Sequence, residues 1–189
     1  PVFNLIDDIF TANDTPGVMQ KLKIIEFNIQ DEICFDKITF GYPGNDSFIK
    51  NLSFKIKAKS MTSMIGPTGQ GKTTLIDMLL GFYQPQSGEI KIDSVLLTNE
   101  NRNSFNKIVG YVPQTVNLQE DSLMSNIALG VEHDSVDHAY LVNIIKILEL
   151  TELVNTLDDG IDSNIGDRGI KLSGGQRQRI GIARALYLK

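Results

Sequence analysis

Three features of the sequence predict an α/β domain. Short apolar runs of strand character alternate with segments of helical period. A glycine-rich turn at 66–73 stands between one such run and a helix. The order is uneven, with a β-rich start and a helical insert late in the chain. Composition agrees. Of 189 residues, 41% are hydrophobic and 22% charged, which excludes disordered, collagen-like and low-complexity chains. The net charge of -5 disfavours a nucleic-acid backbone as the main partner. Cys34 is the single cysteine, so an intramolecular disulfide and a Cys-based zinc site are excluded, which fits a reducing compartment. No run of about 18 apolar residues is present to cross a membrane. Pro1 to Phe10 carry acidic side chains and no basic cluster, unlike a secretory signal.

The elements follow in order. Val2, Phe3, Leu5, Ile6, Ile9 and Phe10 recur at helical spacing. Asn13-Asp14-Thr15-Pro16-Gly17 ends any such helix, and residues 11–30 read as a linker. Ile33 to Phe40 and Phe48 to Ile56 alternate as two strands about a turn at Gly41 to Asp46. Ser60 to Ile65 is expected as a short strand, followed by a helix from Lys72 to Leu80 closed by Gly81. Gly88–Ile92 and Lys107–Val112 read as further strands. Val136 to Leu157 is helical in period, 160–169 is a loop, and a last helix starts near Ser173. The chain starts without methionine and stops within that helical pattern, which reads as a piece of a longer polypeptide. Processing at the start with a genuine carboxyl end is the alternative.

The segment Gly66-Pro67-Thr68-Gly69-Gln70-Gly71-Lys72-Thr73 fits G-x-x-x-x-G-K-[ST] in strand–loop–helix context. Glycines let successive N–H groups turn inward as an anion-binding nest. The helix N-terminus adds its positive dipole end. Lys72 brings a full charge to the β- and γ-phosphates. Thr73 offers a hydroxyl to Mg²⁺, which takes oxygen ligands and keeps several waters. Thr74 is placed to donate to the α-phosphate. Gly66, Thr68, Gly69, Gln70, Gly71, Lys72, Thr73 and Thr74 are therefore expected to line a phosphate site. The alternative is a glycine-rich turn that binds nothing.

A second cluster, Leu172-Ser173-Gly174-Gly175-Gln176, lies about a hundred residues beyond Lys72. Alone it reads equally as an ordinary serine-capped helix start or as a second anion site without a lysine. A second copy of the protein is one way to bring it to the same phosphate. Together, the two clusters resemble the ATP-binding domain of ABC (ATP-binding cassette) transporters, whose signature is the LSGGQ string. The resemblance runs from about Ile33 to Lys189 and is closest to exporters with a transmembrane domain on the same polypeptide.

That resemblance implies a P-loop NTPase-type ABC cassette. It has a β-rich N-terminal subdomain and an α-helical subdomain at about 115–180, with the C-terminal part absent. Residues 31–189 form the incomplete cassette, and 1–30 the end of the last membrane helix plus a linker. Tyr42, in Phe40-Gly41-Tyr42-Pro43-Gly44, matches the aromatic residue that stacks on adenine. The proline after it holds it extended. Without the family it is a surface tyrosine. Gln114, in Tyr111-Val112-Pro113-Gln114, matches the Q-loop glutamine that joins the Mg²⁺ shell or positions water; otherwise it is a turn residue. Asn164 to Gly169 resembles the exporter X-loop, with Asp167 where Glu is usual. Ser173, Gly174, Gly175 and Gln176 are expected to meet the nucleotide of a second cassette. The implied ligands are ATP and Mg²⁺, the implied catalytic residues Lys72 and Gln114, and the implied metal ligands Thr73 and Gln114. The implied partners are a second cassette, most simply a homodimer, and the transmembrane domain. The implied place is the cytoplasmic face of a cell membrane, with this piece itself soluble.

The family also uses an apolar strand ending in Asp, a catalytic Glu and a switch histidine after the signature. No apolar run here ends in Asp-Glu, and His133 and His138 precede the signature, on an expected solvated face. Asp158, Asp159, Asp162 and Asp167 read as loop carboxylates. The parent is expected to hydrolyse ATP to power export or flipping of a substrate. This piece is expected to bind ATP with little or no turnover. It is also expected to leave strand edges unpaired and apolar faces exposed. The other readings are a soluble non-transport ABC ATPase, or a nucleotide-binding module without catalysis.

Overall fold

A computed structural model describes residues 26–165 and 172–188. The expected helix at Pro1–Phe10, most of the linker after it, and Gly166 to Gly169 with Asp167 lie outside the described residues. The chain divides into two units, Pro1–Ser104 and Phe105–Lys189.

The first unit is built on an antiparallel sheet of β1 (Glu32–Phe40), β2 (Ile49–Lys57), β3 (Ser87–Ile92) and β4 (Val95–Leu96), in the order β2-β1-β3-β4. Phe35, Ile38 and Phe40 are buried from β1, where a bulge at Lys37 (φ 51) breaks the alternation and returns Ile38 to the buried face, and Ile90 and Ile92 are buried from β3. Phe35 faces Phe54 across β1–β2, with the rings stacked at 4.4 Å. Helix α1 (Lys72–Leu80) has the expected bounds and is closed by Gly81 in a left-handed conformation, whose N–H donates to the Asp77 and Met78 carbonyls. Leu75 and Met78 form its buried face.

The far end of α1 is held by a side chain. Nη1 of Arg102, from the short helix α2 (Arg102–Asn106), donates to the carbonyls of Met78 and Leu79, both at 2.9 Å. Arg102 is 7% exposed, and burial pushes its guanidinium below the ordinary value. The negative end of the α1 dipole is the counter-charge it meets.

Two expected strands are not formed. Residues 61–67 and 109–112 carry no regular secondary structure. Met61 is 97% and Ile65 95% exposed, and Tyr111 is also exposed. A strand exists only where another strand takes its hydrogen bonds. Apolar runs that fill an interior parallel sheet stay extended but unpaired without neighbours on both sides. Among the described residues no ladder reaches either run.

The second unit is helical: α3 (Leu123–Ile127), α4 (His138–Ile147), α5 (Thr151–Asn155) and α6 (Gly174–Tyr187), with 3₁₀ turns at His133–Ser135 and Gly160–Asp162. Its core includes Leu123, Ile127, Leu141, Ile144, Leu150, Ile165 and Ile180. The single helical period expected over 136–157 is broken in two. Glu149 adopts φ 54, ending α4, and Nη1 of Arg179 donates to the Leu148 and Glu149 carbonyls at 3.4 and 3.0 Å. His133 and His138 are exposed, as expected.

One carboxylate staples the edge of the first unit. Asp93, at φ 53 in the β3–β4 turn, accepts from the N–H groups of Gln30, Asp31 and Glu32 at 3.0, 2.9 and 2.9 Å. These three donors hold its carboxyl below the usual carboxylate range. A folded pKa below the unfolded one adds stability that is complete above the unfolded value of about 4 and is lost as pH falls through the lowered folded value. Asp93→Asn tolerates the left-handed backbone but removes the charge. Urea melts should show the variant less stable by a constant amount between about pH 7 and about pH 5, with the gap closing below about pH 4. A gap that widens on acidification contradicts the assignment.

Candidate functional site

The loop before α1 has the geometry its sequence requires. Gly69 and Gly71 adopt φ +86 and +85, the left-handed region where a side chain costs about 1–2 kcal/mol. Gly71 is the N-cap and supplies no side chain, so no capping group occupies the first-turn N–H groups of α1. No acidic residue sits in that turn to compete with an incoming anion. Lys72 folds back over the loop, its Nζ donating to the carbonyls of Gly66 at 2.8 Å and Pro67 at 2.6 Å. Gly66, Thr68, Gly69, Gln70 and Thr73 are exposed.

Thr74 is 4% exposed, and its Oγ1 lies 2.9 Å from the Tyr42 hydroxyl. The structure thus places Tyr42 beside the loop. Its ring belongs to an aromatic cluster: edge-on to Phe40 and Tyr83, and stacked on Phe48 at 5.4 Å with 25° between planes. The cluster touches the loop, since a Cβ on Gly71 would meet Phe48 Cε2 at 2.8 Å and Ile49 Cδ1 at 3.0 Å.

In the second unit, α6 opens with a capping box. Ser173 Oγ accepts from the Gln176 N–H at 3.2 Å, and Gln176 Oε1 accepts from the Ser173 N–H at 2.8 Å. The cap uses Ser173 as acceptor only, so its O–H remains a donor. Gln176 has its carbonyl committed to the cap and its NH₂ left for other partners. Ser173, Gly174 and Gly175 are exposed. Gln114 is exposed and shares with Gly174, Arg177 and Gln178 the walls of a cavity of about 600 Å³.

Several positioning residues escaped the sequence reading. Gly181 lets the segment after Tyr111 lie against α6: a Cβ there would stand 2.5 Å from Val116 Cγ2. A lone glycine inside a helix was the available signal. Arg184 donates to the carbonyls of Asn126 at 2.9 Å and Asn117 at 3.2 Å, and burial pushes its guanidinium below the ordinary value. The fully buried Asn126 accepts from the Gln119 N–H and donates to the Gln119, Asp121 and Ser122 carbonyls. Nothing local marks an asparagine for that role.

The profile of the ABC transporter family matches residues 49–189. This chain belongs to the ABC transporter family. It is 38% identical over 188 residues to the ATP-dependent lipid A-core flippase of Ralstonia nicotianae, covering 98% of this chain and 31% of that protein. It is 34% identical over 184 residues to the β-(1→2)glucan export ATP-binding/permease protein NdvA of Rhizobium etli, covering 97% and 30%. A solved bacterial Atm1-family ABC exporter with ATP bound superposes with a TM-score of 0.79 at 31% identity, covering 97% of this chain and 32% of that one. The chain thus has the ABC cassette fold and spans about a third of the length of the exporters it matches. Among the described residues no helix is long and apolar enough to cross a membrane.

Gly71 is the glycine of the loop with no room for a side chain. In Gly71→Ala a left-handed alanine must also push aside Phe48 and Ile49. The expected result is a loss of about 1–3 kcal/mol in a denaturant melt and at least tenfold weaker ATP binding by calorimetry. Unchanged affinity contradicts the loop's role.

Proposed function

We propose that this chain binds Mg-ATP as one cassette of an ABC exporter and that, in the intact protein, paired cassettes hydrolyse ATP to drive export or flipping. The observation that carries the reading is the phosphate loop, with left-handed Gly69 and Gly71, an uncapped helix start and Lys72 poised over it. The loop's N–H groups and Lys72 hold the phosphates. Thr74, whose hydroxyl lies 2.9 Å from that of Tyr42, serves the α-phosphate, and Tyr42 stacks on the adenine. Gly66, Thr68, Gln70 and Thr73 complete the lining. Thr73 and Gln114 each carry an exposed hard oxygen of the kind Mg²⁺ takes, Thr73 a hydroxyl and Gln114 an amide oxygen, and the ion keeps waters besides. Bound there, the ion supplies charge neutralisation for the phosphates.

The cassettes pair head to tail, most simply as a homodimer. Ser173, Gly174 and Gly175 of one copy then face the nucleotide held by the other, and Ser173 donates its free O–H to the terminal phosphate. ATP closes the pair only because it binds the closed state better. The names of the relatives support fusion to a permease, and hence a place at the cytoplasmic face of a membrane. Residues 31–189 are then the cassette, with its helical subdomain at about 115–180, and 1–30 the approach from the membrane domain. The transported substrate is recognised outside these residues.

Catalysis is divided. Lys72 and Gln114 act here, whereas no apolar strand ending in Asp-Glu is present to orient the attacking water. Phosphate release from Mg-ATP by the 189-residue chain should not exceed that of Lys72→Ala, although only the former binds ATP. Turnover that depends on Lys72 overturns this division. In the full-length protein, Ser173→Ala should weaken ATP-driven cassette pairing, while nucleotide binding to the separate cassette stays unchanged. Pairing equal to wild type sinks the head-to-tail assignment.

A further inference from the structure

One buried cation in the first unit is compensated only in part. Arg102 is 7% exposed, and what it meets at the end of α1 is a pair of neutral carbonyls. Both bonds use Nη1. Nε is fully buried and has no partner, and Nη2 makes no bond among the described residues. No carboxylate of the described residues pairs with this guanidinium. A guanidinium carries five N–H donors, and a carboxylate grips it with two parallel bonds. The edge formed by Nε and Nη2 can take such a pair, and here it is unused. A buried charge is costly until an opposite charge joins it.

Arg102 also lines a cavity of about 310 Å³ between the turn after α1 and the β3–β4 hairpin. Pro85, Ile90 and Leu97 give the cavity apolar walls. Two amides on its wall, those of Gln84 and Asn99, are spent on each other through a 2.8 Å hydrogen bond. Glu89 lines it as well, but its carboxylate is paired with Lys91 at 2.8 Å and not with Arg102. The volume stands at the lower end for small-molecule sites. A cation with a free fork beside apolar walls matches an anion of matching build: a carboxylate on a short apolar body.

We propose that this cavity is a second ligand site, which takes a small organic carboxylate on the Nε–Nη2 edge of Arg102. The site lies at the opposite end of α1 from the phosphate loop. That helix has 9 residues and is about 14 Å long, so the ligand does not compete with an anion at Lys72. Bound there, the carboxylate completes the charge balance of Arg102 while Nη1 stays on the α1 carbonyls.

The test reads butyrate binding to the full-length natural protein by saturation-transfer NMR, with butyramide as the uncharged counterpart. Butyrate should bind with a Kd of about 1 mM, usual for so small a ligand, and butyramide about tenfold more weakly. Arg102→Met, which removes the charge, should erase that preference. Asn99→Trp fills the cavity from an exposed position and leaves Arg102 in place. It should weaken butyrate about tenfold with Mg-ATP binding unchanged, and it decides the matter if Arg102→Met does not fold. Lys72→Ala should bind butyrate as wild type does. No butyrate bound to wild type, butyramide bound as well as butyrate, or butyrate indifferent to Asn99→Trp overturns the proposal. So does loss of butyrate in Lys72→Ala but not in Arg102→Met, which puts the anion in the phosphate loop.

Discussion

The first unit depends on one constraint: α1 must begin with its N–H groups bare. A helix start with no cap is costly unless something else fixes the backbone that leads into it. Here the fixing is steric. Left-handed Gly71 is pinned by Phe48 and Ile49, side chains at the start of β2. The other end of α1 is fixed by charge, where Arg102 binds the Met78 and Leu79 carbonyls. Gly81 leaves the space for it, since a Cβ there would stand 2.1 Å from Arg102 Cδ. Clamped at both ends, α1 presents its positive terminus without relying on a ligand for its position. The aromatic cluster belongs to the same clamp, since Phe48 packs against both Gly71 and Tyr42.

The second unit solves the opposite problem. Its helix α6 starts with a full capping box, so two of its terminal N–H groups are already satisfied. What remains for a ligand is the Ser173 hydroxyl hydrogen and the N–H groups over Gly174 and Gly175. Behind it, Gly181, Arg184 and Asn126 lock the segment around Gln114 to the same helix. Gln114 and the signature are thus tied to one helix within this unit.

Local chemistry was legible in the sequence, and non-local pairing was not. The bounds of α1, its Gly81 stop, the Ser173 cap and the β1–β2 pair follow from capping, turn and alternation rules that act within a few residues. The runs at 60–65 and 107–112 have the composition of interior strands. Composition states only that a strand is tolerated, and a ladder needs neighbours that no local rule supplies. The break at Glu149 was hidden because the apolar period continues through it, and its cap comes from Arg179, thirty residues on. Phe48, Arg102 and Asn126 were passed over for a related reason. Each does its work through contacts with residues far along the chain, and none stands in a motif. Conversely, Tyr42 was found by resemblance, yet its stack on Phe48 and its bond to Thr74 are visible only in three dimensions.

The resting state of Lys72 bears on how much the loop gains from a nucleotide. Its Nζ is not waiting in solvent; it donates to two carbonyls of its own loop. Those bonds are charge-assisted on the donor side alone. Phosphate oxygens make them charge-assisted on both sides, and so shorter and stronger. The gain on binding is the difference between the two arrangements, which is smaller than the full worth of a lysine–phosphate pair. Selectivity follows from the same difference. A singly charged anion offers Lys72 little more than the Gly66 and Pro67 carbonyls do, whereas a polyphosphate also recruits the bare N–H groups of α1.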